Sequence, residues 1–117
     1  MPVLKDGTDM AKAAKKTSPL WGWNIHPGEI LREEYMKPLG LSVYALAKEL
    51  KLTRPRLNDI VLERRAITAD TAIRLARYFG TTAQFWMNMQ SSYELREAEN
   101  ANRKIVESIE PRRTDAA

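Results

Sequence analysis

The sequence predicts an all-α fold of five short helices with an extension at each end. Apolar residues recur at the helical spacing of three and four positions in successive segments, and no segment alternates with the two-residue period of a half-buried strand. Most of these segments also follow a residue that favours a helix start. At 117 residues the chain is long enough for one hydrophobic core and too short for two ordinary domains.

The chain divides into three parts. Residues 1–23 have little apolar periodicity and are predicted to form a flexible tail that ends in an apolar knot of Leu20, Trp21 and Trp23. Residues 24–95 form the helical domain, and residues 96–117 form a charged helical extension. Two tryptophans outside the helical array either fold back on the domain or meet a partner, and the sequence leaves both open.

The first helix is predicted over about residues 27 to 37. Pro27 suits the first turn, and Glu29 suits the positive end of the helix dipole. His26 is the only histidine of the chain and is expected at the helix entry rather than in catalysis. Pro38 is expected to end the helix, because the residue before a proline avoids the α region.

The second and third helices are short and separated by a very short link. Ser42 is a good N-cap for the second helix, and Thr53 caps the third, where Pro55 is tolerated because it lies in the first turn. Their buried stripes are Val43, Leu46, Ala47 and Leu50 in the second helix, and Leu57, Ile60 and Val61 in the third.

The fourth and fifth helices complete the domain. Thr68 caps the fourth, whose stripe is Ala72, Leu75, Ala76 and Phe79, and Gly80 is a natural stop. The fifth begins near Thr82 and is predicted to run on through the charged stretch to about Glu110, before Pro111. At helical spacing, Trp86, Met87 and Met89 are more typical of a core or a dimer contact than of a partner surface.

Composition excludes several classes of site. The chain has no cysteine and one histidine. Disulfides, thiolate zinc sites and multi-histidine metal sites are therefore excluded. The five glycines match neither the dinucleotide nor the phosphate-loop spacing. No serine stands in a nucleophile-elbow context, and no facing acid–base pair is visible. We therefore expect no enzyme, no cofactor and no metal. No apolar run approaches the roughly 20 residues of a membrane span, so a cytoplasmic, nucleoid-associated protein with no membrane partner is expected.

The positive charge is concentrated in one block. The formal net charge is +4, and residues 42–65 contribute +3 of it from six basic and three acidic side chains. This block contains the second and third helices, and two short capped helices with bases on the second describe a helix-turn-helix. The sequence thus predicts that residues 24–95 bind double-stranded DNA. A run of arginines on a short helix is otherwise often only a solvated face.

The third helix is the predicted recognition helix. Arg54 is placed to meet guanine O6 and N7, and Asp59 to accept from a cytosine amino group. Arg56 is expected at phosphate, the helix N-termini at Ser42 and Thr53 favour phosphate oxygens, and Arg64 and Arg65 would follow the DNA backbone. The complete predicted DNA-binding set is Ser42, Thr53, Arg54, Pro55, Arg56, Asn58, Asp59, Arg64 and Arg65.

Three runs of sequence resemble a known family. These are His26-Pro-Gly-Glu-Ile-Leu-Arg-Glu-Glu-Tyr with the following Leu39-Gly-Leu-Ser to Ala45-Leu-Ala, Arg64-Arg-Ala-Ile-Thr-Ala-Asp-Thr-Ala-Ile-Arg-Leu-Ala-Arg-Tyr-Phe, and Gln84-Phe-Trp-Met-Asn-Met-Gln. Over about residues 25–95 the chain resembles the HigA-type antitoxins, within the wider phage-repressor-like (XRE) helix-turn-helix family. The resemblance implies a dimeric repressor of its own operon that also neutralises a cognate RNA-cleaving toxin encoded beside it.

The chain departs from the family pattern at two turns. Lys51 stands where the link between the second and third helices often has glycine, and Leu62-Glu63 stands where the recognition helix often ends in Asn-Gly. Both turns are therefore expected to require a left-handed backbone angle without glycine, at a cost of roughly 1 kcal/mol.

Other functions stay open at this point. A stand-alone transcription regulator without a toxin has the same sequence features, and a pure protein-interaction module could use the tryptophan knot and the fifth helix. A small basic ribonuclease lacks a visible acid–base constellation. A homodimer is expected because paired helix-turn-helix units match operator symmetry, with the fifth helix and the C-terminal extension as the expected contact.

Overall fold

The structure is a computed structural model that describes residues 24–112. Over this part of the chain it is all-helical, with no strand, as predicted. The predicted tryptophan knot lies outside the described residues. Six helices follow one another: α1, made of Pro27–Ile30, Leu31–Met36 and Lys37–Leu39, then α2 (Val43–Leu50), α3 (Arg54–Val61), α4 (Ala69–Phe79), α5 (Ala83–Ala101) and α6 (Arg103–Glu107).

The helix starts are those that the sequence predicts. Ser42, Thr53, Thr68 and Thr82 each accept a hydrogen bond from the backbone amide three residues on. At the entry of α1, His26 Nδ1 accepts from the amide of Gly28 at 2.8 Å. These bonds satisfy amides that have no partner inside the helix, so each start is fixed locally by one side chain.

The predicted end of α1 at Pro38 is wrong, because the helix continues to Leu39 and stops at Gly40 in the left-handed conformation. The middle segment, Leu31–Met36, is π-helical, and the amide of Lys37 donates to the carbonyl of Arg32, five residues back. A π turn is wider than an α turn, which eases the clash between a proline ring and the preceding turn.

The prediction of one long fifth helix is also wrong. Two helices, α5 and α6, occupy that stretch, so residues 24–112 contain six helices instead of the expected five. Asn102 leaves the helical conformation at φ −116° and ψ 18°, which ends α5. The Asn102 side-chain amide donates to the carbonyl of Ala98 at 2.8 Å. Such a side-chain bond competes with the backbone ladder. The short α6 that follows ends at Glu107 rather than near Glu110.

The helices from α1 to α5 share one hydrophobic core. Trp86 is fully buried at its centre, where its indole N–H donates to Thr81 Oγ1 at 2.7 Å and its ring lies 5.1 Å from that of Tyr35. The prediction that Trp86 belongs to a core is confirmed. The buried apolar set is Leu31, Met36, Leu46, Ala47, Leu50, Leu57, Ile60, Val61, Ile67, Ala72, Leu75 and Trp86.

Residues 24–112 contain no helix that is long and apolar enough to cross a membrane. The same residues bring together no group of three or more histidine, aspartate or glutamate side chains that could hold a metal ion.

Candidate nucleic-acid interface

The α2–α3 unit has an inner face against the domain and an outer face towards solvent. Leu57, Ile60 and Val61 bury the inner side of α3. The outer face is a shallow groove between the first turn of α2 and the length of α3. It is lined by Val43, Tyr44, Arg54, Pro55, Asn58, Asp59 and Arg64. Four of the predicted DNA-binding residues on α3, together with Arg64, therefore share one surface.

Three further predicted residues lie beside this groove without lining it. Ser42 and Thr53 are exposed at the N-termini of α2 and α3, where their hydroxyls cap their own helices. Arg65 is exposed and makes no hydrogen bond or ion pair with any residue between 24 and 112. The two helix N-termini carry the positive ends of the helix dipoles next to the groove, an arrangement that suits an anion.

Arg54 is the free cation of the groove. Its guanidinium carbon lies 5.1 Å from the centroid of the Tyr44 ring. It forms no ion pair with the residues that the structure describes. Its guanidinium also donates no hydrogen bond to residues 24–112, so its N–H groups are available for an external acceptor.

Asp59 and Arg64 form an ion pair across the end of the groove, with Arg64 Nη2 3.1 Å from Asp59 Oδ1. The backbone amide of Arg64 also donates to the carbonyl of Asp59 at 2.7 Å. The pair partly occupies the Asp59 carboxylate and masks its negative charge beside Arg54. A polyanion approaching the groove consequently meets a net positive surface.

Arg56 points away from the groove. Its Nη2 lies 3.3 Å from Thr68 Oγ1, 3.4 Å from Asp70 Oδ2 and 3.2 Å from Thr71 Oγ1, all at the start of α4. Its side chain thus connects α3 to α4. Of the predicted set, Arg56 is the member that the fold does not bring to the outer face.

Sequence reasoning missed two arginines that hold the unit from its inner face. Arg74 on α4 donates through Nη1 to the carbonyls of Leu50 (2.9 Å) and Lys51 (2.8 Å), at the end of α2. Its Nε pairs with Asp70 Oδ1 at 3.0 Å, so Asp70 contacts both Arg74 and Arg56. Nothing in the local sequence distinguishes Arg74 from a solvated arginine on an amphipathic helix.

The second missed arginine is Arg32 on α1, which holds the end of the recognition helix. It donates through Nη1 to the carbonyl of Val61 and through Nη2 to the Glu63 carboxylate at 3.1 Å. Burial alone would lower the pKa of Arg32, but hydrogen bonds to the carboxylates of Glu33 and Glu63 outweigh it and the net shift of the pKa is upward. Arg32 therefore keeps its charge at the turn that follows α3.

Tyr44 is the missed residue of the outer face, and the sequence contains a signal for it. The buried stripe of α2 leaves position 44 outside, and a large aromatic side chain there has no core to enter. Its position two residues after the Ser42 cap places it at the mouth of the groove.

Comparison with known proteins gives a consistent family. Residues 33–86 match the helix-turn-helix family. The chain is 59% identical over 92 residues to virulence-associated protein I of Dichelobacter nodosus, covering 79% of this chain and 84% of the relative. It is 30% identical over 87 residues to antitoxin HigA-1 of Vibrio cholerae, covering 74% of this chain and 82% of that protein.

A solved antitoxin structure also matches the chain. The Pseudomonas aeruginosa antitoxin HigA, described with the higBA promoter, superposes with a TM-score of 0.73 at 57% sequence identity, over 74% of this chain and 96% of that one. The chain therefore belongs to the HigA-type family of phage-repressor-like helix-turn-helix antitoxins, a family of DNA-binding proteins rather than enzymes.

Proposed function

We propose that this chain is the antitoxin of a type II toxin–antitoxin pair, a sequence-specific repressor of its own operon that also neutralises an RNA-cleaving toxin encoded beside it. The observation that carries the DNA-binding part is the outer face of α3, where Arg54 is exposed without an ion pair among residues 24–112. The HigA structure described with its promoter, at 57% identity, supports the same assignment.

In the proposed complex α3 enters the major groove of DNA with its outer face. Arg54 donates to guanine O6 and N7, and Asn58 and Asp59 meet neighbouring bases. Asp59 must share its carboxylate with Arg64, since the two already pair at 3.1 Å. Pro55 contributes only a van der Waals surface, because it has neither a backbone N–H nor a polar side chain.

Contacts to the DNA backbone come from the margins of the same face. Arg64 and Arg65 are exposed beyond the end of α3, and the Ser42 and Thr53 N-termini flank the groove. For Arg56 to reach a phosphate as well, it must leave the three oxygens of Thr68, Asp70 and Thr71. We therefore rank Arg56 last among the proposed phosphate contacts.

The DNA-binding part is tested by fluorescence anisotropy with a duplex from the region upstream of the gene. We expect the logarithm of the affinity to fall linearly with the logarithm of the salt concentration, and Arg65→Ala to reduce the slope by about one. A scrambled duplex of the same composition is the control. Equal affinity for both duplexes would contradict sequence-specific repression and would favour a protein-interaction module.

We also propose that the chain is a homodimer paired through α5 and the C-terminal extension. This region exposes four large aliphatic side chains, Leu95 at 61%, Ile105 at 66%, Val106 at 55% and Ile109 at 62%. Exposed apolar side chains concentrated in one region of a chain favour an interface. In sedimentation, Ile105→Glu should shift a dimer towards monomer. Ile73→Glu, a control on α4 with 61% exposure, should not.

The antitoxin part is tested by expressing the adjacent open reading frame alone and then together with this chain. We expect growth to stop when the neighbouring frame is expressed alone and to recover when this chain is expressed with it. A harmless neighbour would leave a stand-alone transcription regulator. Removal of residues 1–23 from the rescuing chain then tests whether the segment with Trp21 and Trp23 meets the toxin. Rescue by the shortened chain would exclude that role.

A further inference from the structure

Tyr44 has no structural reason to be aromatic. It lies in the first turn of α2, outside the buried stripe, and 58% of its surface is exposed. A tyrosine with most of its surface in solvent gains little burial energy, so we look for its contribution in what the ring contacts. The contact that the structure places on its face is the guanidinium of Arg54, 5.1 Å from the ring centroid.

Two other arginines around α3 are held differently. Arg56 and Arg64 each pair with a carboxylate, Asp70 and Asp59 respectively. A carboxylate fixes a guanidinium by occupying its N–H donors and cancelling its charge. A ring face restricts the same group from above and leaves the in-plane donors and the charge intact. The Tyr44 ring thus restricts the position of the Arg54 guanidinium, while its N–H groups stay available to donate hydrogen bonds.

Direction matters for base readout. An arginine recognises guanine with two parallel hydrogen bonds to O6 and N7, which requires the guanidinium plane to coincide with the plane of the base. The arginine side chain is long and has many rotamers, so an undirected Arg54 would also reach phosphates and other bases. A ring fixed in the first turn of α2 restricts that choice across the short link between the helices.

We propose that Tyr44 is the positioning residue for Arg54, and that the pair determines the preference for one base in each half-site. This inference rests on the proposed DNA-binding function. It assigns the specificity of one contact to a residue of α2, outside the recognition helix, and it predicts that the aromatic ring rather than the hydroxyl group is required.

The test uses a pool of randomised DNA duplexes and the full-length chain. The wild type and four variants (Tyr44→Phe, Tyr44→Leu, Arg54→Ala and the double variant Tyr44→Leu with Arg54→Ala) are each put through selection and sequencing. We expect the wild type and Tyr44→Phe to share one preferred sequence. Tyr44→Leu should lose discrimination at the base that Arg54→Ala also releases, by about two- to fivefold, the size of an exposed cation–π contact.

The double variant decides how Tyr44 acts. If Tyr44 works through Arg54, Tyr44→Leu changes nothing further once Arg54 is alanine. An equal loss in both backgrounds would show a general effect on the fold and overturn the inference, as would a loss in Tyr44→Phe, which would assign the role to the hydroxyl group. Thermal unfolding of each variant checks that the fold is retained.

The same selection separates this inference from the proposed function. If the wild type enriches no sequence, sequence-specific DNA binding fails and the inference fails with it. If the wild type enriches a sequence and Tyr44→Leu enriches it equally at every position, the proposed function stands and the role of Tyr44 is refuted. Arg65→Ala is the matched control, since the loss of a phosphate contact should weaken binding uniformly without changing preference.

Discussion

The inner and outer faces of the α2–α3 unit use the same residue type for opposite purposes. On the inner face Arg32, Arg56 and Arg74 are bound to carboxylates, hydroxyls or backbone carbonyls of neighbouring elements. On the outer face Arg64 pairs with Asp59, but Arg54 and Arg65 have no ion pair with any residue from 24 to 112. The surroundings of each arginine therefore decide whether it stabilises the fold or stays available to a ligand.

The inner arginines are also bound at the two unusual turns. Lys51 (φ 57°) and Glu63 (φ 65°) are the non-glycine residues with positive φ in the described chain, and they flank the recognition helix. The expectation of left-handed turns without glycine is confirmed at both, with Glu63 rather than Leu62 as the strained residue of the second turn. Arg74 contacts the first turn and Arg32 the second, which offsets part of the backbone cost.

The largest expected effect is on the inner face, at Gly28. A Cβ atom there would overlap the carbonyl oxygen of Ile60, a backbone atom that cannot turn aside. Gly28→Ala should therefore lower the free energy of unfolding by about 3 kcal/mol, measured by urea denaturation. Gly80→Ala is the control, because its Cβ would meet nothing within 4 Å and only its positive φ of 75° opposes it. Equal losses in the two variants would contradict the close approach.

Replacing one arginine on each face by alanine tests the contrast between the two faces directly. Arg74→Ala should cost about 2 kcal/mol of unfolding free energy, because the carbonyls of Leu50 and Lys51 lose a charged donor. Arg54→Ala should lower the free energy of unfolding by no more than about 1 kcal/mol, the size of its exposed contact with Tyr44, and weaken operator binding by about 1–3 kcal/mol. Urea denaturation and fluorescence anisotropy on both variants give the answer. A loss of stability in Arg54→Ala as large as that in Arg74→Ala would abolish the distinction between the faces.

His26 makes the inner face sensitive to pH. Burial lowers the pKa of His26 from its ordinary value, an effect that the carboxylate of Glu63 partly opposes and the charge of Arg32 reinforces. Its Nδ1 must be unprotonated to accept from Gly28. The unfolded chain therefore takes up a proton near the ordinary value of about 6.5 while the folded chain does not, so stability should fall as the pH drops below about 7.

The measurement is urea denaturation at several pH values between 7.5 and 5. His26→Asn keeps an N-cap acceptor and cannot titrate, so its stability should depend less on pH than that of the wild type over this range. Identical slopes for the two chains would show that His26 does not contribute to the pH dependence.

The smallest expected change in the free energy of unfolding comes from relieving the two turns with positive φ. Lys51→Gly should raise the free energy of unfolding by about 0.5–1 kcal/mol, because glycine adopts φ 57° freely and the carbonyl that Arg74 contacts stays in place. Glu63→Gly should gain less, since it also removes the carboxylate that pairs with Arg32. Thermal unfolding of both variants tests this order, and a larger gain at position 63 would reverse the interpretation.

Local chemistry made much of the fold predictable. Ser42, Thr53, Thr68 and Thr82 cap the helices that follow them because a cap needs only a side chain and an amide three residues away. The predicted ends were less reliable. At Pro38 the helix continues despite the local preference against it, because a π-helical segment begins seven residues earlier. The fifth helix ends at Asn102, whose side chain donates to the carbonyl of Ala98.

The candidate site divides in the same way. Helical spacing placed Pro55 and Asp59 opposite the buried stripe of α3, Asn58 and Arg56 at the two sides of that face, and Arg54 nearer the stripe. The structure brings Arg54, Pro55, Asn58 and Asp59 to one groove. Spacing could not indicate where the flexible side chain of Arg56 would find partners, because Thr68, Asp70 and Thr71 reach it only after α4 packs against the unit.

The sequence by itself determined the fold class, the starts of the helices, their buried stripes and the position of α3. These depend on interactions within about four residues and on periodicity, which the chain carries whatever its tertiary arrangement. Only the tertiary structure decided which arginines are held and which are free, why Gly28 must be glycine, and that Tyr44 lies beneath Arg54. Each of these depends on atoms that are distant in sequence and meet only when the helices pack.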